Sequence, residues 1–245
     1  MNSGMYSALS GDVNMLDKLN VVANNLANIN TVGFKKDRMF FEKVLDTVNN
    51  PSQTGGEVTD ETIVAQVRMF TDYTTGPIKQ TGNVFHVAID GEGFFAVNTP
   101  QGTEYTRQGN FQRDKNGRLT TVDGYDVLGR GGGPITIPGG MVHIDATGNI
   151  TVDGTGVGSI DVVDFPKPYQ LQKTGKAHFV PADPQAVPQS VPRVSVMQGY
   201  IEDSNVNAIA EMTHMIECNR SFESCQRAIK SYDEMAGKAI ELGKS

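Results

Sequence analysis

Apolar positions recur at both ends of the chain with a helical period. Stepping alternately by four and three from Met5 gives Met5, Leu9, Asp12, Leu16, Leu19, Ala23 and Leu26, and only Asp12 breaks the series. From Met215 the same stepping gives Met215, Cys218, Phe222, Cys225, Ile229, Tyr232, Ala236 and Ala239, with no polar exception. A stripe this narrow is the seam of a coiled coil. The two stripes predict helices over about residues 3–28 and about residues 207–242. The first is closed by Asn28 or Asn30, with Gly33 available for a left-handed residue. The second starts in "DSNVN", where Ser204, Asn205 and Asn207 are capping candidates and Glu202, Asp203 and Glu211 favour a helix start.

Between the helices the period shortens to two. "VFHVAID", "GFFAVNT", "RLTTVDG", "PITIP", "NITVDG" and "SIDVVDF" are short β-branched and aromatic runs, separated by turn pairs such as Asn116-Gly117, Asp123-Gly124 and Asp153-Gly154. The expectation is an α+β chain: long N- and C-terminal helices pairing as a coiled coil, with an antiparallel β-rich middle domain. The divisions are residues 1–34 (N-terminal helix), 35–75 (a linker with partly extended structure), 76–200 (β-rich domain) and 201–245 (C-terminal helix). "TIVAQVRMF" reads as a strand within the linker, and "NNPSQTGGEVTD" as a polar flexible stretch. The Pro-rich run 166–192 reads as an excursion across the β domain's surface, because proline cannot donate to a central ladder.

Four asparagines (Asn24, Asn25, Asn28 and Asn30) interrupt the end of the first stripe. Asn is a mediocre helix former whose amide competes for backbone hydrogen bonds. Its use beside a seam makes sense where the helix is enclosed on several sides, since buried amides set register between helices. The stripes can pair with each other or with copies in neighbouring subunits.

Composition narrows the function. The 21 basic against 28 acidic residues, a net charge of −7, argue against nucleic acid as a partner. Residues Asp12, Asn14 and Asp17 break up any apolar signal region, and no run of apolar residues is long enough to span a membrane. The two cysteines lie on one helical face roughly 10.5 Å apart at about 1.5 Å rise per residue, too far for a disulfide. They read as small hydrophobes. His86, His143, His178 and His214 are scattered without metal-ligand spacing. "GRGGGPITIP" leads into a strand, not the helix start that a phosphate loop requires, and "DATGNITVD" lacks the glycine of a calcium loop and reads as a hairpin turn. Nothing nominates a catalytic residue, metal or cofactor.

"ANNLANINTVGFKK" resembles the N-terminal signature of the bacterial flagellar rod and hook proteins, with matches at Ala23, Asn24, Asn25, Leu26, Ala27, Asn28, Asn30, Thr31, Gly33, Phe34 and Lys35. Residues 76–97, 105–129 and 198–216 are similar to further segments of that family, and His86 departs from the Asp usual there. The chain is too short for a hook protein. The resemblance implies a structural subunit of the periplasmic rod, exported by the flagellar type III apparatus without a cleaved signal. Its partners would be other rod subunits and copies of itself, with no membrane insertion. Its terminal helices would pair as the innermost layer of a tube. The expected assembly residues are Leu9, Leu16, Leu19, Ala23, Asn24, Asn25, Leu26, Asn28, Gly33, Phe34, Ser204, Asn205, Asn207, Met215, Phe222, Ile229 and Tyr232. From other classes, a secreted β-rich adhesin and an enzyme with helical docking arms remain open.

Overall fold

The structure, a computed structural model, describes residues 2–45, 63–175, 177–183, 185–191 and 195–242. Helix α1 (Asn2–Ala27) and helix α2 (Ala208–Leu242) take up the two stripes, and strands fill the sequence between them, so the chain is α+β with a β-rich middle. It divides into two compact units: Met1–Leu26, Asp37–Asp72 and Ala208–Ser245 form one, Ala27–Lys36 and Tyr73–Asn207 the other.

The first unit holds both helices and an antiparallel hairpin of β1 (Asp37–Leu45) and β2 (Ile63–Thr71), in register from Asp37↔Thr71 to Leu45↔Ile63. The polar stretch 49–60 lies outside the described residues. Along α2 the residues withdrawn from solvent are Ala208, Glu211, Met215, Cys218, Phe222, Cys225 and Ile229, the three-four spacing of a seam. On α1 the withdrawn row contains Asp12, Met15, Leu19, Val22, Asn25 and Leu26, whereas Leu16 is 44% exposed and Ala23 is exposed. The stripe read from Met5 is therefore partly out of phase. Two apolar rows run side by side on this helix, and the inner one carries Asp12 and Asn25, polar residues that a hydrophobic count rejects.

Contacts between the helices run in opposite order along the chain. Gln226 Nε2 donates to Asp12 Oδ2 at 2.8 Å, and Asn25 Nδ2 donates to Glu211 Oε2 at 3.4 Å. Beside the first of these, a Cβ added at Gly11 would lie 3.8 Å from Cys225 Sγ, so the backbone comes close to the opposite helix there. Both cysteines are free, and burial pushes the Cys218 thiol up, against the pull of Lys18. A thiol kept protonated behaves as a small hydrophobe.

The second unit is built on one large sheet. Its order is Leu171–Lys173, His178–Pro181, Gly102–Thr106, Phe94–Thr99, Asp126–Val127, Leu119–Thr120, Gln112–Arg113, with Val162–Asp164 also pairing Phe94–Thr99. The strand Phe94–Thr99 is apolar on both faces. Phe95 and Val97 enter a cluster with Phe111, Leu119, Ile137 and Ile150, while Phe94 and Ala96 enter another with Tyr105, Phe165 and Phe179. Alternation sends successive side chains to opposite faces, so a strand buried on both reads as a continuous apolar run. The Pro-rich segment does more than cross the surface. It adds three strands, Leu171–Lys173 and His178–Pro181 at one end of the sheet and Gln189–Ser190 against Val162–Asp164, and sends Ala177 and Phe179 fully into the interior. Proline is tolerated there because Pro181 ends its strand.

Three turns of this unit share one construction. The side-chain oxygens of Asp114, Thr121 and Asp145 each accept the N–H four residues on, from Arg118, Tyr125 and Asn149. In each, the intervening Gly117, Gly124 or Gly148 has φ of 84–87°, a left-handed geometry that glycine adopts without steric cost. Asp145 also accepts from Thr147 N, Thr147 Oγ1 and Asn149 Nδ2. Its carboxylate is thus occupied by its own hairpin, as expected of a turn. Those bonds, led by the Thr147 hydroxyl, bring its pKa down to about 2 from 3.8. A depressed carboxylate contributes stability above its ordinary pKa and loses it as pH falls through the folded value. Thermal unfolding should therefore weaken between about pH 4 and pH 2, and Asp145→Asn should flatten that window. At neutral pH the variant should lose less than about 1 kcal/mol, because the group is exposed to solvent.

Candidate assembly site

The signature segment after α1 is held by a buried cluster of the second unit. The chain leaves the helix in a turn, with Thr31 N donating to Asn28 O at 3.1 Å and Phe34 N to Thr31 O at 3.2 Å. Gly33 then takes φ +67°, and a Cβ there would lie 2.4 Å from the Arg107 carbonyl carbon. Glycine is required twice over, by conformation and by contact. Gly33 N donates to Glu202 O at 2.7 Å.

Phe34 and Lys35 are both buried. Lys35 Nζ, in a side chain 0% exposed, lies 2.6 Å from Glu202 Oε1 and donates to Thr74 O at 2.7 Å. Glu202 Oε1 also accepts from Gly76 N at 2.8 Å. Arg107 Nη1 stands 3.4 Å from Glu202 Oε2, an electrostatic contact without the alignment of a good hydrogen bond. Arg107 Nη1 donates to Ile89 O at 3.3 Å and Nη2 to Gly91 O at 2.5 Å, while Nε is buried without a hydrogen-bond partner among the described residues. Burial lowers the Arg107 pKa, against the pull of Glu202. Lys173 closes the latch from the sheet edge: its Nζ donates to Lys35 O at 2.6 Å and sits 4.4 Å from the centre of the Phe34 ring. A cation over an aromatic face adds to the packing of that ring.

The segment before α2 is woven into the same latch. Asn205 Oδ1 accepts from Lys36 N at 2.7 Å, its Nδ2 donates to Thr74 O at 3.1 Å, and Asn205 N donates to Phe34 O at 3.3 Å. Ser204 is buried and accepts from Val206 N, while Asn207 is exposed directly before α2. Asn28, Gly33, Phe34, Ser204 and Asn205, far apart in sequence, thus gather in one place. Glu202 is not a helix-start residue. It ends the strand Tyr200–Glu202 and is 1% exposed, buried because two cations need it.

In the first unit Asn25 is 1% exposed. Its Nδ2 donates to Asp37 O at 2.9 Å and its Oδ1 accepts from Asp37 N at 3.0 Å, so one amide pairs with the start of β1 as a neighbouring strand would. The asparagines do not all act on the neighbouring helix: Asn25 reaches both β1 and Glu211, Asn28 serves the turn, and Asn24 and Asn30 are exposed. Leu9 lies within α1. Leu19, Leu26, Met215, Phe222 and Ile229 are half-buried, and Tyr232 is 40% exposed. Spacing alone did not single out Lys35, Glu202, Arg107 or Lys173. Lys35 belongs to the signature, and "YTRQGN" to a matching segment, so those two carried a signal. No cluster of three or more metal-ligating side chains occurs among the described residues, and no described helix is long and apolar enough to cross a membrane.

Comparison with known proteins gives the class. Residues 5–35 match the family "Flagella basal body rod protein", residues 88–157 the "Flagellar hook protein FlgE/F/G D1 domain", and residues 197–242 the "Flagellar basal body rod FlgEFG protein C-terminal". Over 250 residues the chain is 34% identical to the flagellar basal-body rod protein FlgF of Rhizobium meliloti, covering 100% of both. It is 34% identical to FlgG of Bacillus subtilis, covering 99% of both, and 32% identical to FlgF of Escherichia coli, covering 99% of this chain and 98% of that one. The chain belongs to the flagellar basal-body rod protein family, a family of structural parts and not of enzymes.

Glu202 compensates two buried cations, and removing the anion of a buried cluster costs about 3–5 kcal/mol. Glu202→Gln should lose about that much in urea unfolding. Lys35→Met should cost less, because Glu202 keeps Arg107.

Proposed function

We propose that this chain is a structural subunit of the proximal rod, FlgF-like, which assembles through its terminal helices into the periplasmic shaft that carries torque to the hook. The distal, FlgG-like position is the second reading, since relatives of both names match at similar identity. "MNSGMYSALSG" and "FESCQRAIKSYDEMAGKA" resemble FlgF more closely, and this favours the proximal position. Export through the flagellar type III apparatus without signal cleavage belongs to the same reading, as do the boundaries of its helical and β-rich parts. So do partnership with other rod subunits and copies of itself, and the absence of membrane insertion.

One observation supports this reading above the rest. The inner faces of α1 and α2 meet in antiparallel order, consistent with a coiled coil, yet apolar side chains remain outside. Val13 is 52% exposed, Leu16 44%, Ile209 79%, Met212 52%, Ile216 54% and Met235 53%. Helices with one apolar face inside and a second outside suit enclosure by neighbours, because exposed apolar side chains of this number mark an interaction surface. Leu16 and Ala23 then face neighbouring subunits, not the partner helix.

The experiment has two arms. Strains lacking either FlgF or FlgG are supplied with this chain, and motility and basal-body images are scored; rescue of the strain lacking FlgF alone supports the proximal position. In the rescued strain, Ile229→Asp should bury an unpaired charge in the seam at a cost of several kcal/mol and abolish motility. The neighbouring, exposed Lys230→Asp should be nearly silent. Equal motility of the two variants would refute assembly through α2.

A further inference from the structure

We propose that the β-rich unit carries a binding site for a neutral oligosaccharide, in a cleft walled on one side by the signature loop. The cleft has a volume of about 940 Å³. Its walls come from the loop at residues 30–32, the start of the strand Gly102–Thr106, residues 108–110, the turn at 122–125 and the hairpin at 174–180. All lie within one compact unit.

Its chemistry is selective. The carboxamides of Asn30, Gln101, Gln108 and Asn110 line it and make no side-chain hydrogen bonds among the described residues. The Tyr125 hydroxyl makes none either. Four amides on the lining of one cleft, their donors and acceptors open to solvent, are available to a polar ligand. Each offers an acceptor beside a donor, which matches the adjacent hydroxyls of a sugar ring, each both donor and acceptor. Val32, Val122, Val180 and the Tyr125 ring add apolar surface, and the lining as a whole is more apolar than polar, as in an ordinary ligand site.

At the floor, Glu104 and His178 are both 9% exposed, with His178 Nδ1 3.1 Å from Glu104 Oε2. Neither imidazole nitrogen has a well-directed hydrogen bond, although Tyr125 packs edge-on against the ring at 5.8 Å between centroids. A buried polar group left this way is costly unless something completes it. Glu104 and Asp123 supply the formal charges of the lining, with no Lys or Arg among it, so an anionic ligand is disfavoured. An extended peptide is disfavoured too, because it binds by adding to a free strand edge. The two strands at this cleft, Gly102–Thr106 and His178–Pro181, are both paired on both sides.

The test is a titration of the isotopically labelled full chain with chitotetraose and with cellotetraose, read on the side-chain amide resonances. Saturable binding with a dissociation constant below about 5 mM is expected for at least one sugar. Gln101→Ala and Gln108→Ala should each weaken it about three- to tenfold, as loss of one or two hydrogen bonds does. Lys79→Ala, outside the cleft, should change nothing. Gln101 is exposed, so its variant keeps the fold, and a matching thermal midpoint checks this. The proposal is overturned if neither sugar saturates, or if binding survives both glutamine variants. It is also overturned if the cleft resonances respond instead to tetra-alanine or to raised protein concentration, which would assign the cleft to a peptide or to a second copy.

Discussion

A lysine with no exposed side-chain surface sets the terms for this protein. Lys35 must have an anion, and the anion it has, Glu202, comes from 167 residues further along the chain. Through that pair the segment leaving α1 and the segment entering α2 are fixed to the same point of the β-rich unit. Burying an ion pair gives little net stability, since desolvation offsets most of the attraction. What it gives is exclusivity: any other register of these segments leaves a charge buried alone. The bonds around it, from Gly33, Gly76, Asn205 and Lys173, depend on that register.

Much of the architecture was legible because it rests on periodicity. The seam of α2 follows the three-four stepping from Met215 to Ile229 and leaves it at Tyr232, which is 40% exposed. The turns at 114–118 and 145–149 were readable from Asp and Gly at fixed spacing, because only a short acceptor followed by a left-handed residue closes them. The phase of α1 was not readable: its inner row holds Asp12 and Asn25, whose partners, Gln226 and Asp37, are known only once the chain is folded. The edge strands in the Pro-rich segment were hidden for a similar reason, since proline argues against central pairing but not against an edge.

Of the assembly residues, the family signature led to Asn25, Asn28, Gly33 and Phe34, and the structure supplies the physical need behind each. Gly33 has a backbone carbonyl group where its side chain would be. Asn25 stands in for a strand. The charged members of the latch escaped spacing because a pair distant in sequence leaves no local pattern. Lys35 and Glu202 look like ordinary solvated residues until they are placed together.

The latch also has a kinetic meaning. α1 and α2 are separated by roughly 180 residues, and closing a flexible loop of that length costs about 4–5 kcal/mol in chain entropy. Once the β-rich unit has folded and Gly33 is bonded to Glu202, the open chain between the helices shrinks to little more than a dozen residues. The remaining closure then costs about 2 kcal/mol less. Helix pairing becomes a nearly local event that follows the sheet. The chain therefore has a built-in sequence of events, in which the two terminal helices are the last to acquire their shape.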